Sequence, residues 1–260
     1  YALRWCKWGA TILSHIMRKR GWGYWPTRRT LPSSGLIVAV LGADGSGKST
    51  LVKSLENRLS VKIDVLRLYL GSGDGPSSLL RRPAIYASRL YQKLKKTGQP
   101  KPGNIATSVS GLNNPGSNVS LPRTLFHVYS AVALAIEKRS RLRRANHARK
   151  SGFIVVTDRY PQVQFAGYND GPRLGYLESS KSVLARWVAR WENKQYQSEN
   201  IPAPDLVIKL IGEPAILNAR RPELDIQTIS HKQDSIASLS FPSGTTVVHI
   251  DPQNAADLVL

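Results

Sequence analysis

Gly42-Ala43-Asp44-Gly45-Ser46-Gly47-Lys48-Ser49-Thr50 is the stretch whose reading decides the fold. It satisfies G-x-x-x-x-G-K-[ST], and its surroundings suit that pattern. Before it, Leu36-Ile37-Val38-Ala39-Val40-Leu41 is a continuous apolar run, as expected of a strand buried on both faces. After it, Leu51, Leu55 and Leu59 share one stripe of a helix expected over about 48–59. The glycines let the backbone curl so that successive N–H groups point inward at phosphate oxygens. The helix beginning near Lys48 adds its positive end at the same place. A chance match in a chain of 260 residues is on the order of one in a hundred from average composition.

Outward from this loop, strands alternate with helices. Val61 to Leu70 reads as a second strand, Phe153 to Thr157 as a third, Leu206 to Ile211 as a fourth and Thr245 to Ile250 as a fifth. Helices are expected over about 84–97, from Arg123 to about Lys150, over about 179–197 and from Pro214 to Arg220. In the third of these, Trp187 and Trp191 stand at i, i+4 and read as core. Such alternation implies an α/β, P-loop NTPase fold: a five-stranded parallel sheet with helices on both faces. Residues 98–121 are rich in Gly, Pro, Ser and Asn and read as a mobile loop. The division expected is a basic amphipathic helix (3–20) and linker over 1–34, then one domain built around the loop over 35–260.

Charge is unevenly placed. There are 37 Lys and Arg against 17 Asp and Glu, a net charge of +20. Residues 1–43 hold seven bases and no acid, and residues 75–136 hold eight bases and no acid. A field of that sign draws phosphates, nucleic acid or anionic headgroups. No aromatic-rich nucleic-acid motif accompanies it, so nucleic acid is not the favoured partner. The N-terminal stretch 1–30, with Trp5, Trp8, Trp22 and Trp25, fits an anionic membrane surface or a neighbouring domain. A homodimer is left open. The bases from Lys138 to Lys150 need no ligand, since cations suit a helix C-terminus. The single cysteine, Cys6, excludes an internal disulfide, and no apolar run reaches the 18 or so residues of a membrane span. The expected setting is cytoplasmic, peripheral to a membrane if the first helix lies on one. The chain starts at Tyr1 and stops in a helical-looking segment, 255–260, which suggests a piece of a longer protein.

Two further clusters narrow the chemistry. Phe153-Ile154-Val155-Val156-Thr157 ends in Asp158-Arg159-Tyr160. An Asp just past a buried strand can sit beside the loop and hold Mg²⁺ with the Ser49 hydroxyl. Motor ATPases usually place a water-activating Glu next. Here Arg159 follows, which suits bidentate grip of a phosphoryl group; a plain Asp–Arg pair at a strand end is the alternative. The run from Glu213 to Glu223 places Arg220 and Arg221 at the end of a short helix after a strand. There they can neutralise a transferring phosphoryl, or be ordinary surface arginines.

Taken together, the loop Asp44 to Thr50, the Asp158-Arg159-Tyr160 triplet, the Pro204-Asp205-Leu206 strand entry, the arginine-bearing segment near Arg220 and the closing Ile250-Asp251 resemble the thymidylate kinase family of P-loop kinases. The resemblance covers roughly 35–260. It implies ATP and Mg²⁺ as cofactors and a small-molecule phosphate acceptor. Gly42, Asp44, Gly45, Ser46, Gly47, Lys48, Ser49 and Thr50 would cradle the nucleotide, and Ser49 and Asp158 would hold the metal. Lys48, Asp158, Arg159, Arg220 and Arg221 would be catalytic, with Asp44 meeting the acceptor sugar. The base-holding part departs from the family: Val163 stands at a Ser position, and Gly167 and Tyr168 stand at the Tyr-Gln positions. The expected acceptor is therefore a nucleotide or another small phosphorylated or hydroxyl compound, with Tyr168, Asn169, Asp170 and Arg173 lining its side. An ATP-binding regulatory or assembly module, and a polynucleotide 5′-kinase, are the alternatives.

Overall fold

A computed structural model of the chain describes residues 29–71, 121–165, 169–197, 201–222 and 224–252. The expected helices at 3–20, 84–97 and 255–260 lie outside them, as does the expected loop 98–121 except for Leu121, which opens a helix instead. The described elements are β1 (Leu36–Gly42), α1 (Lys48–Leu59), β2 (Val65–Tyr69), α2 (Leu121–Lys150), β3 (Ile154–Asp158), α3 (Val183–Tyr196), β4 (Leu206–Leu210), α4 (Pro214–Arg220), α5 (Ile226–Ser238) and β5 (Thr246–Ile250). A 3-10 turn at Gly175–Leu177 precedes α3.

The five strands form one parallel sheet in the order β2-β3-β1-β4-β5. β1 lies at its centre, which is why its run is apolar without alternation. Ile37, Ala39 and Leu41 face Leu142, Ala145 and Ala148 of α2 and Ile236 of α5. Val38 and Val40 face Leu51 and Val52 of α1 on the other side. Successive side chains of a strand point to opposite faces, so one strand anchors both helical layers. Residues 29–35 lie against this core: Leu31 N donates to Gly152 O at 2.9 Å and Gly35 N to Arg149 O at 2.7 Å. Among the described residues no helix is long and apolar enough to cross a membrane.

Several elements differ from expectation. β2 begins at Val65, because residues after Leu59 close α1 with a turn in which Lys62 N and Ile63 N both donate to Leu59 O. β3 runs one residue further, so Asp158 is its last residue rather than the first beyond it. α3 starts at Val183, where the Ser182 hydroxyl accepts from Ala185 N. Trp187 is no core residue: it is 62% exposed, and α3 buries Ala189, Glu192, Gln195 and Tyr196 instead. Helix α5 was not expected at all. Its buried Ile229, Gln233 and Ile236 form a stripe diluted by polar neighbours, with Asp225 at its N-cap.

Candidate functional site

The loop between β1 and α1 is built as its glycines dictate. Gly45 and Gly47 have φ of 88° and 82°, the left-handed region that side chains disfavour. Gly47 caps α1 with no side chain over the first turn, so those backbone N–H groups face outward at the positive end of the helix. Lys48 curls back and donates from Nζ to Ala43 O at 2.6 Å. It is almost fully buried. Burial first, then the nearby Arg159, lowers its pKa to about 8 against the pull of Asp44, Asp158 and Asp170. A buried cation beside free N–H groups suits an anionic ligand.

Asp158 reaches the same spot from β3. The register pairs Val40 with Asp158, which sets the carboxylate beside the start of the loop. Ser49 Oγ donates to Asp158 Oδ2 at 2.6 Å. The other oxygen, Oδ1, is buried without a hydrogen-bond partner. A hydroxyl, a carboxylate and an orphaned carboxylate oxygen are hard donors that fit Mg²⁺. Among the described residues no three His, Cys, Asp or Glu gather as a metal group. A cation here would take its other ligands from phosphate and water, as Mg²⁺ commonly does.

Beyond Asp158 the chain turns sharply. Arg159 has φ 70° and donates its N–H to Val40 O at 3.0 Å. This turn sends the guanidinium across the mouth of the loop. Nη2 meets Asp44 Oδ1 at 2.7 Å and Nη1 meets Asp170 Oδ2 at 3.4 Å. Asp44 Oδ2 takes a second cation, Lys232 Nζ, at 2.8 Å. Asp170 is in turn held by Lys138, whose Nζ donates to its backbone O at 2.8 Å and to Oδ1 at 3.3 Å. Burial would raise the Asp44 pKa, but Arg159, Lys232 and Lys48 overcome it and hold the carboxyl well below its usual range. Asp170 is likewise held down, by Lys138 and Arg159 against burial. Lys138 is depressed to about 8 by its burial, in spite of Asp170.

The segment carrying Asp170 is itself strained. Asn169 and Asp170 have φ of 46° and 65°. It is pinned by Glu192, fully buried on α3, whose carboxylate accepts from Arg173 N at 3.0 Å and Leu174 N at 2.7 Å. Over the loop's other side lies α4. Its Leu217 packs with Ala43 and with Ile229 of α5. Arg220 Nη1 stands 3.5 Å from Gly45 O, and Arg221 Cγ faces the open side of Gly45.

The structure thus gathers Asp44, Lys48, Ser49, Asp158, Arg159 and Asp170, with Arg220 and Arg221 at the rim. Arg173 adds its charge beside Asp170, and Asn169 Nδ2 turns to Lys232 O at 3.4 Å. Thr50 is exposed on α1, and Tyr168 lies outside the described residues. Sequence reasoning missed Lys232, Lys138 and Glu192. Lys138 belongs to the run read as dipole compensation, yet it falls on the buried stripe Ala131, Leu134, Leu142, Ala145 of α2. That stripe was the available signal. For Lys232 the signal was the Ile226, Ile229, Gln233, Ile236 spacing.

The all-parallel sheet, the loop after its central strand and the Asp ending the adjacent strand define a P-loop NTPase fold. No protein-family model matches the chain. It is similar to two Escherichia coli (strain K12) proteins described as uncharacterized ATP-binding proteins. YghR is 28% identical over 221 residues, covering 83% of this chain and 80% of its own. YghS is 28% identical over 234 residues, covering 86% and 89%. A probable thymidylate kinase of Pyrobaculum aerophilum is 26% identical over 185 residues, covering 71% of this chain and 68% of its own.

Proposed function

We propose that the chain binds Mg·ATP in this loop and transfers the γ-phosphoryl to a small acceptor, as a divergent thymidylate-kinase-like enzyme. The observation that carries the reading is Arg159. The residue after the metal-side Asp158 is turned by a left-handed backbone onto Asp44, at the acceptor edge of the loop. A hydrolase would gain more there from a water-activating carboxylate, whereas a guanidinium can hold a second phosphate.

In this reading Lys48 and the amides of α1 meet the β- and γ-phosphates. Ser49 and Asp158 hold Mg²⁺, which when bound screens the oxygens of the transferring group. Arg220 and Arg221, already beside Gly45, neutralise charge on the transferring group. Asp44 offers a carboxylate to an acceptor hydroxyl. The work is positioning and charge neutralisation, as phosphoryl transfer needs. The similarity to the probable thymidylate kinase supports the reaction class.

A second reading, ATP binding with little turnover, is favoured by the descriptions of YghR and YghS, which name ATP binding alone. Measuring ADP release with Mg·ATP against nucleoside monophosphates, sugars, sugar phosphates and 5′-hydroxyl oligonucleotides separates the two. Acceptor-dependent ADP release supports the kinase. ATP binding without acceptor-stimulated release supports the module.

A further inference from the structure

Lys138 is a cation placed in the interior. It lies on the buried face of α2 with Ala131, Leu134 and Leu142, and its side chain is 3% exposed. Its Nζ donates to Asp170 O at 2.8 Å and to Asp170 Oδ1 at 3.3 Å, and stands 5.2 Å from the centre of the Tyr196 ring. Asp170 is buried as deeply, at 4%. Taking such a pair out of water is costly, and an apolar pair of similar volume is often as stable. Stability alone is therefore a weak reason for Lys138 to stand there. What the pair holds is a shape. Asn169 and Asp170 keep left-handed backbone angles, φ 46° and 65°, and Lys138 ties down the carbonyl of the second.

That shape bears on Arg159. Asp170 Oδ1 faces Lys138, and Oδ2 faces Arg159 Nη1 at 3.4 Å, so one carboxylate joins the two cations. The stem of Arg159 is already confined. A Cβ on Gly71 would meet Arg159 Cδ at 2.6 Å and the Tyr69 hydroxyl at 2.5 Å, so the three pack closely. Helix α2 also holds the end of β2, where Arg141 Nη1 donates to Tyr69 O at 2.5 Å. Packing on the stem still leaves the planar guanidinium free to rotate about its last bonds. Two carboxylates remove that freedom, Asp44 at Nη2 and Asp170 at Nη1. Asp44 belongs to the loop and is shared with Lys232. Asp170 stands outside the loop and is anchored from the interior.

We propose that Lys138 is a positioning residue: it fixes Asp170, and Asp170 sets the plane in which the Arg159 guanidinium faces the loop. The proposal rests on the phosphoryl-transfer reading above and names the residues that aim its arginine. Lys138 is enclosed beneath Asp170 and acts through it, not on the reacting groups. Without Lys138 the segment loses the donor on its strained carbonyl, and Asp170 follows Arg159 instead of directing it. Misplacing a group by about 1 Å can cost about a hundredfold in rate.

The test reads Arg159 directly, by NMR of the full chain labelled with nitrogen-15 arginine. Its side-chain signals are assigned by their loss in Arg159→Lys. A guanidinium held at both Nη groups rotates slowly, so its Nη signals should stay separate in the wild type. Lys138→Met and Asp170→Asn should each merge them. The double variant should match Asp170→Asn alone, because one residue acts through the other. On the most active acceptor of the panel above, each single variant should lower kcat/KM by about tenfold or more. These losses should again fail to add, while ADP affinity keeps its wild-type value. Urea unfolding shows whether each variant is folded. If Lys138→Met is not, Lys138→Gln takes its place, keeping a donor for the Asp170 carbonyl without the charge. Separate Nη signals in a folded Lys138 variant overturn the proposal, since the residue would then be structural only. So do kinetic losses that add in the double variant, or a fall in ADP affinity as large as that in kcat/KM. Merged signals in the wild type overturn it too. Failure with every acceptor overturns the phosphoryl-transfer reading instead, while the Nη signals still decide whether Lys138 aims Arg159.

Discussion

Arg159 and Asp44 stand 115 residues apart in the chain and meet at 2.7 Å across the mouth of the loop. One opens the turn after β3 and the other lies in the loop after β1. Only because β1 and β3 are parallel neighbours do both turns open on the same edge of the sheet. In such sheets the crevice at the carboxyl ends of the strands is the ligand-binding edge.

Lys48→Ala is expected to abolish phosphoryl transfer and leave the fold intact. Lys48 is the side-chain cation that the loop itself holds at the phosphate cradle. Losing one such transition-state contact typically costs about 10²–10³ in rate. Turnover by the purified variant, with far-UV circular dichroism as the control for folding, checks it. Undiminished turnover in a folded variant removes Lys48 from the chemistry.

Nucleotide affinity should fall as pH rises through about 8. Without a phosphate beside it, Lys48 has a pKa lowered by burial to about 8. A bound phosphate favours the charged form, so binding takes up a proton above that pH and none below it. Dissociation constants for ATP between pH 7 and 9.5 should therefore be flat at first and then rise. Lys48→Arg keeps its charge throughout this range and should flatten the curve. A wild-type curve as flat as that of the arginine variant would falsify the assignment.

Glu192→Ala should destabilise the protein more than Glu192→Gln. The carboxylate accepts from two backbone N–H groups, of Arg173 and Leu174, and is itself fully buried. Each donor left unpaired costs about 1–3 kcal/mol. The glutamine retains one acceptor oxygen. Urea unfolding of the three proteins measures the order. The alanine variant should also bind acceptor probes more weakly, since Asp170 sits on the segment that Glu192 pins.

Thymidylate should be a poor acceptor. Val163 is 40% exposed and has no group to donate a hydrogen bond to a base. The nearby Gln162 amide is spent closing its own loop, Oε1 accepting from Phe165 N and Nε2 donating to Phe165 O. A site lacking the polar partners its substrate needs loses up to about 10⁴ in specificity. A kcat/KM for thymidylate of about 10⁴ M⁻¹s⁻¹ or above would refute this, and would mean that other residues hold the base.

Removing residues 1–28 should leave ATP affinity unchanged and weaken binding to anionic vesicles. The removed stretch carries six of the seven bases found before residue 44, Arg4 to Arg28, and four tryptophans. Residues from Arg29 onward are kept because Arg29 O accepts from Asp64 N at 3.0 Å, next to β2. Co-sedimentation with phosphatidylserine vesicles, beside nucleotide titration, decides it. Equal vesicle binding by both proteins would leave the basic stretch without that role.

What could be read from the sequence was local. The loop from Gly42 to Thr50 is contiguous, and its glycines, lysine and flanking apolar runs carry their meaning within about twenty residues. Central strands buried on both faces are apolar throughout, so β1, β3 and β4 were legible, and with them the parallel α/β architecture. Asp158 and Arg159 were legible because they end such a strand. Helix α5 was not, because it buries only a narrow stripe and Gln233 interrupts its apolar signal. Trp187 was misplaced because i, i+4 spacing finds a helix face without saying which face is inside. Which charges would meet belonged to the tertiary structure alone. Lys138 and Lys232 look like solvated bases until α2 and α5 pack on the sheet and bring them to Asp170 and Asp44. A motif states what one segment can hold. The pairing of charges from three distant helices and loops depends on strand order and helix packing, which no single window of sequence contains.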